Sequence, residues 1–273
     1  MWLIYILIIL TMILYLPFKN EENSSKKTYL ILVFSILGIM MMFKAENVGN
    51  DTYEYIQLFY LFNIETFLEM STRYEIGYVL LNKLLGYIYF NPQIIFIFTG
   101  AFVAFAFGRF IFKYSDLPWL SVIMFLTLQF FDISMSGIRQ ILAVSILTFA
   151  YDQLISRKIL KFTIIVFLAT TIHVSSFLFF LLYFLKEKKF NVNFFLILLM
   201  ITIIAYSFFD IIILAIIEQI FPIYIKYFTQ SSLSFSNEPK LATILNILYW
   251  GIMFIVAIII YNKKFYKISA ASE

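Results

Sequence analysis

The chain has 273 residues, of which 63% are hydrophobic and 13% charged, with a formal net charge of +4. That balance excludes the soluble globular classes and points to an integral membrane protein built from many apolar spans. The absence of cysteine excludes a disulfide framework, a thiolate nucleophile and a thiolate metal cluster.

Taken in order, the apolar runs predict helices over 2–18, 28–43, 93–112, 119–132, 138–156, 159–172, 174–185, 194–217 and 241–261. The first run lacks a basic leader and a small-residue cleavage site, so it is expected to be a retained span and not a signal peptide. Basic residues fall in five tight clusters: Lys19/Lys26/Lys27, Arg109/Lys113, Arg157/Lys158/Lys161, Lys186/Lys188/Lys189 and Lys263/Lys264/Lys267. The positive-inside rule asks all five to share the cytoplasmic side.

Two assignments satisfy that rule. Segment 75–90, short and carrying the polar pair Asn82 and Lys83, lies at the outer interface or re-enters. The run 159–185 forms a hairpin of two short spans turning at His173; a single long tilted helix is the alternative. The expected fold is an all-α polytopic membrane protein, one transmembrane domain over 1–273. It would have about nine spans plus one interfacial or re-entrant helix. The N-terminus is outside, the C-terminus inside, and segments 44–92 and 218–240 form external loops.

This topology puts Lys44, Arg73, Lys83, Arg139 and His173 on the outer side, against the charge bias. The stretch Asp132–Ala143 (D-I-S-M-S-G-I-R-Q-I-L-A) sets Arg139 at the entrance of a membrane helix, where an unpaired guanidinium is costly. Ser136 and Gly137 read as its N-cap, so a positive helix end and an arginine converge. Such a pocket suits a diphosphate. The alternative is that Arg139 snorkels or pairs with Asp132.

His173, the only histidine, lies among Thr170, Thr171, Ser175 and Ser176. Its position reads as a phosphate contact or a proton-handling group, or else as a hydrogen-bonded packing residue. In 44–92, Asn47, Gly49 and Asn50 mark a turn, and Asp51 begins a helix. Tyr55, Phe59 and Phe62 of that helix are expected to rest on the bilayer surface. Tyrosine and phenylalanine beside carboxylates suit sugar rings, and equally suit any membrane interface.

The ordered set Lys44, Gly49, Asp51, Tyr53, then Glu75-x-Gly77 with Leu81-Asn82-Lys83, continues through Lys113-Tyr114-Ser115 to Ser136-Gly137-Ile138-Arg139-Gln140 and Ala143. His173-x-Ser175 completes it. Over roughly residues 40–190 this pattern resembles the EpsG family of bacterial exopolysaccharide proteins, regarded as Wzy-like polymerases. The family tends to have arginine where this chain has Lys44, so a bidentate grip is lost there. The resemblance implies a GT-C-like or Wzy-like glycosyltransferase of the bacterial cytoplasmic membrane. It would polymerise, at the outer face, repeat units carried on undecaprenyl diphosphate.

On that reading Arg139, then Arg73, Lys44 and His173, meet the diphosphate, and Lys83, Tyr53, Gln140 and Ser136 complete the substrate-binding set. Asp51 is the first choice as proton acceptor and Glu75 the second. Asp51 is equally read as a helix cap, and Glu75 as a partner of Arg73 or Lys83. Asp51 and Glu54 are too loosely spaced to predict a metal, and no cofactor is expected. The partners would be the lipid-linked oligosaccharide, membrane lipid, a chain-length regulator and a flippase, with no nucleic acid. Two other classes compete: a flippase of the same lipid-linked sugar, which would show inverted repeats, and a membrane acyltransferase using His173.

Overall fold

The computed structural model describes residues 2–18, 23–185 and 192–207, together with Leu248, Gly251 and Ile252. The chain divides into two units, Met1–Lys186 and Glu187–Glu273. The expected external loop 218–240, residues 208–217 of the expected helix 194–217, all but three residues of the expected helix 241–261 and the last two basic clusters lie outside the described residues.

The first unit is helical throughout. It runs α1 (Trp2–Tyr15), α2 (Asn23–Met42), α3 (Thr52–Ile64), α4 (Phe67–Ser71), α5 (Ile76–Ile88) and α6 (Gln93–Tyr114). It continues with α7 (Pro118–Thr127), α8 (Phe130–Ser136), α9 (Ile138–Ile155), α10 (Ile159–Ile172) and α11 (Leu181–Leu185). Short 3-10 stretches extend α1 over Leu16–Phe18 and precede α11 over Val174–Phe180. In the second unit α12 covers Val192–Ser207.

Helices α2, α6 and α9 are long and apolar enough to cross a membrane, and the pair α7–α8 is a fourth candidate, bent by 49°. The bend falls at Gln129, whose φ of 63° interrupts the helical path. Helix α1 with its extension, α5, α10 and the stretch Val174–Leu185 are shorter apolar helices.

Two apolar cores flank α6 and α9. One joins α1, α2, α7 and α8 to α6 through residues such as Tyr29, Leu37, Phe107, Leu126 and Phe131. The other joins α3, α5 and α10 to α9 through Phe59, Phe62, Tyr78, Leu142 and Phe162. Helices α2 and α6 run antiparallel and meet closely where Gly100 faces the backbone of Met42, leaving 2.9 Å for a Cβ. Small residues at a membrane helix contact let backbones approach in this way. Both ends of the pair are stitched: Gln93 Nε2 donates to the Met42 carbonyl, and Lys26 Nζ donates to the Ser115 carbonyl at 2.5 Å. Each bond satisfies a carbonyl that a helix end leaves open.

The run 159–185 is a hairpin turning at His173. Phe162, near the start of α10, meets Phe179, Phe180 and Tyr183 of the return arm, and Phe167 meets Phe177. Contacts in that order require the two arms to be antiparallel.

Segment 44–92 contains the helix expected after Asp51 and the short helix expected within 75–90. It folds into three helices, and α5 covers α3. Tyr55, Phe59 and Phe62 do not rest on a bilayer surface: they are 4%, 0% and 0% exposed, packed under Tyr78 and Val79. The apolar face of α3 is met by protein, and Tyr53, Leu61 and Ile64 occupy its outward side instead. Ser136 also departs from expectation. It ends α8, its hydroxyl donating to the Asp132 carbonyl at 3.0 Å, while Gly137 takes the N-cap position of α9.

Candidate functional site

Four elements converge on Glu75. It precedes α5, Arg139 opens α9, His173 is the corner of the hairpin, and Tyr55 and Tyr78 project from α3 and α5. Arg139 Nη1 donates to Glu75 Oε2 at 2.9 Å. His173 Nδ1 stands 3.4 Å from Glu75 Oε1, within ion-pair range but off the line of a hydrogen bond. The guanidinium carbon of Arg139 lies 5.8 Å from the centre of the Tyr55 ring and 5.7 Å from that of Tyr78. Two aromatic faces therefore confine the cation. The side chains of Glu75, Arg139 and His173 keep 20%, 25% and 27% exposure, so the cluster is partly open.

Part of this cluster has no partner. Arg139 Nε and the hydroxyl of Tyr78, both buried, find no acceptor or donor among the described residues. Buried polar atoms are rarely left so, because each costs about 1–3 kcal/mol. An unused guanidinium N–H at the first turn of a helix is a ready donor for an anion.

Burial acts to raise the Glu75 pKa, but the imidazole of His173, the backbone and the charge of Arg139 outweigh it and bring it to about 2. The pairing stabilises the fold in full above the ordinary glutamate range. That contribution is lost only as pH falls toward about 2.

Packing sets the spacing of Glu75 and His173. Gly77 lies against Thr171, whose side chain and carbonyl occupy the place a Cβ would take. Each contact residue is two positions from a site residue, so this approach brings the start of α5 to the end of α10. Gly77→Val should destabilise the protein by about 2 kcal/mol through overpacking and should move Glu75 from His173. Thermal melting of the detergent-solubilised variant checks the first effect, and titration of the single histidine by NMR checks the second.

A second glycine positions Lys44. Gly49 has a φ of +88°, and the Met135 carbonyl lies where a side chain would project. The turn is thereby pressed onto the end of α8, and Lys44 reaches across it. Lys44 Nζ donates to Thr52 Oγ1 at 2.9 Å and to the Met135 carbonyl, over the ring of Phe96. At 8% exposure its burial lowers the pKa to about 8, against the opposing charge of Asp51. Lys44 thus bonds protein oxygens just ahead of α9.

The other residues singled out from the sequence are more dispersed. Asp51 stands at the N-cap position of α3, exposed and making no capping bond. Arg73 pairs with Glu69 at 3.2 Å and is 63% exposed. Lys83 donates to the Glu65 carbonyl at 2.7 Å, a cation closing the end of α3. Tyr53 is 62% exposed and Gln140 is exposed on the first turn of α9. Glu75 pairs with neither Arg73 nor Lys83, and Arg139 pairs with Glu75 and not with Asp132. Among the described residues, no group of three or more His, Asp or Glu side chains is placed to hold a metal.

The match to a family model extends over residues 27–271, nearly the whole chain. The chain belongs to the EpsG family. No curated protein and no solved structure matches it significantly. EpsG proteins are associated with exopolysaccharide biosynthesis, and the apolar helices fit a membrane protein of that kind.

This EpsG protein carries a second charged cluster that the sequence reading passed over. Asp152, 6% exposed near the end of α9, accepts from Arg109 Nη2, from Lys113 Nζ at 3.0 Å and from the Tyr114 hydroxyl at 2.5 Å. From the sequence, Arg109 is a topology signal, and Lys113 is that and part of the family pattern Lys113-Tyr114-Ser115. A lone carboxylate in the apolar run 138–156, matched to a basic pair one turn apart on another helix, was the available signal. Helix α9 thus has a charged cluster at each end, about 20 Å apart by its rise.

Proposed function

We propose that this EpsG protein is a polysaccharide polymerase. It transfers repeat units from one undecaprenyl diphosphate carrier to another at the outer face of the bacterial cytoplasmic membrane. The observation that carries this reading is Arg139: a guanidinium at a helix start, beside the rings of Tyr55 and Tyr78, with a buried Nε that has no acceptor among the described residues. Preorganised cations aimed at a departing diphosphate lower the barrier to its loss, since negative charge grows there in the transition state. His173 lies beside the same carboxylate and adds a second group able to carry positive charge. No cofactor enters the scheme.

An apolar groove of about 530 Å³ along α2 and α6, lined by Leu30, Phe34, Ala101, Ala104 and Gly108, supports the lipid part of this reading. None of its lining residues belongs to the Glu75 cluster; its walls are mostly apolar, as the chain of a lipid requires, with Lys27 and Arg109 also lining it. The test is direct. Purified protein given a synthetic undecaprenyl diphosphate-linked repeat unit should lengthen the glycan, whereas a flippase would only move it across a vesicle membrane. The proximity of His173 and Glu75 supports one other reading, an acyl transfer with His173 as base. Glycan that gains an ester from an acyl donor without lengthening would establish that instead.

The proposed topology keeps about nine spans, with α5 at the interface. Its outward site would receive units from a flippase and work with a chain-length regulator. A cysteine at Lys26, Lys113 or Arg157 should resist a membrane-impermeant thiol reagent on intact cells, and one at Asn50 or Asn91 should react. Labelling at position 113 from outside would require α5 to cross.

A further inference from the structure

Resting on the polymerase reading, we propose that Glu75, and not Asp51, is the catalytic base, and that arrival of the lipid diphosphate is what makes it basic. The geometry separates the two carboxylates. Glu75 touches Arg139 and stands beside His173, whereas Asp51 is exposed at the head of α3 with no capping bond.

Before the donor arrives, Arg139 gives Nη1 to Glu75 and keeps Nε without an acceptor. A carboxylate held by a guanidinium and an imidazole is a poor base, consistent with the low proton affinity of Glu75. A diphosphate bound at Nε changes both conditions. It draws on the charge of the same guanidinium, and it places an anion within a few ångströms of the Glu75 carboxylate. Like charges sharing one site raise the proton affinity of the weaker acid.

Linkage makes the effect reciprocal: donor binding promotes protonation of Glu75, and a neutral side chain at 75 promotes donor binding. The order of events follows. The donor binds first and the carboxylate becomes competent. An acceptor hydroxyl then attacks the anomeric carbon. The new C–O bond forms as the bond from that carbon to the diphosphate breaks, its electron pair leaving on the diphosphate. The hydroxyl proton passes to Glu75 and from there to water. The groups facing Glu75 are Arg139 on α9, His173 at the hairpin corner and Tyr78 on α5, while Tyr55 on α3 meets Arg139. Of these, His173 is the competing proton acceptor.

The test is calorimetric titration of the full-length protein, at about pH 5.5, with undecaprenyl diphosphate carrying a single sugar, whose doubly esterified diphosphate does not titrate between the ordinary glutamate and histidine values. Two buffers of different ionisation enthalpy report the protons taken up. The wild type and His173→Gln should both take up protons on binding, and Glu75→Gln should take up far fewer. Glu75→Gln, a mimic of the protonated acid, should bind the lipid at least about 1,000-fold more tightly, the preference needed to carry a group that titrates at about 2 up to about pH 5.5, with turnover at least about 100-fold lower. Glu75→Asp, which keeps a carboxylate, should restore proton uptake and part of the turnover.

Proton uptake that survives in Glu75→Gln and vanishes in His173→Gln would overturn the proposal in favour of the imidazole. So would normal turnover in Glu75→Gln, or weakened lipid binding there. A wild-type protein that binds no lipid diphosphate or extends no glycan would instead remove the polymerase reading on which it rests.

Discussion

On the proposed polymerase reading, Arg139→Lys should lower the initial rate of glycan extension at least about 100-fold, roughly 2.7 kcal/mol of transition-state stabilisation, while the variant still folds. Lysine preserves one positive charge, so Glu75 keeps a counter-ion and α5 stays beside α9. What it lacks is the planar fork. Arg139 uses one N–H on Glu75 and holds another buried without an acceptor, confined by two rings at 5.7 and 5.8 Å. An ammonium is a single point of charge and cannot hold both partners in fixed directions. Arg139→Ala should lose activity as completely and melt earlier as well, because Glu75 is left with only the histidine. Extension rates from a synthetic lipid-linked unit, with melting curves of the same preparations, separate the two effects. Full activity in Arg139→Lys would reduce Arg139 to a structural partner of Glu75.

The second large effect is on stability. Asp152→Ala should destabilise the protein by about 3 kcal/mol, the usual consequence of removing one side of a buried ion pair. The carboxylate is 7% exposed and accepts from three groups. Lys113, at 48% side-chain exposure, can turn to solvent and contributes little. Arg109 carries most of the loss. It is 28% exposed, its Nη1 already lacks an acceptor, and its guanidinium lies 4.4 Å from the Phe149 ring. Replacing both partners, Arg109→Met with Asp152→Leu, should recover most of the stability, since an apolar pair leaves no uncompensated charge. Melting in detergent checks both. A double variant as unstable as the single one would mean that the cluster contributes more than paired charge.

Much of the helical order was legible in the sequence, because runs of apolar residues bounded by Pro92, Ser156 and His173 mark where spans start and turn. The corner at His173 followed from charge placement alone. The failures share a physical cause. In a membrane, lipid and protein interior are equally apolar, so hydrophobicity shows that the face of α3 is buried and not what buries it. Tyr55, Phe59 and Phe62 were therefore assigned to bilayer and belong to the core. Ionic partners were hidden for a different reason. Glu75 and Arg139 are 64 residues apart, and Arg109 and Asp152 are 43 apart, so no local spacing rule connects them. The cap was narrowed only to the pair Ser136 and Gly137 because both are good starts, and Gly137 takes the position. Only the backbone at Gly137, at φ −89° and ψ 62°, shows which one leaves the helix.

The link between Asp152 and α6 also bears on how the chain is made. Helix α6 is synthesised before α9 and carries Arg109 and Lys113 into the bilayer, while their acid is still to be translated. Cations within a membrane helix carry an insertion cost of about 2.5–3.5 kcal/mol each at its centre, less toward its ends. Helix α9 in turn arrives with a carboxylate that would enter lipid unaccompanied. Each helix is the other's route to neutrality, so their release into lipid is a joint event. In biosynthesis, α6 should therefore wait beside the insertion channel with α7 and α8 until α9 emerges. A nascent chain stopped before Asp152 should remain accessible to the insertion machinery, and one extended past it should leave.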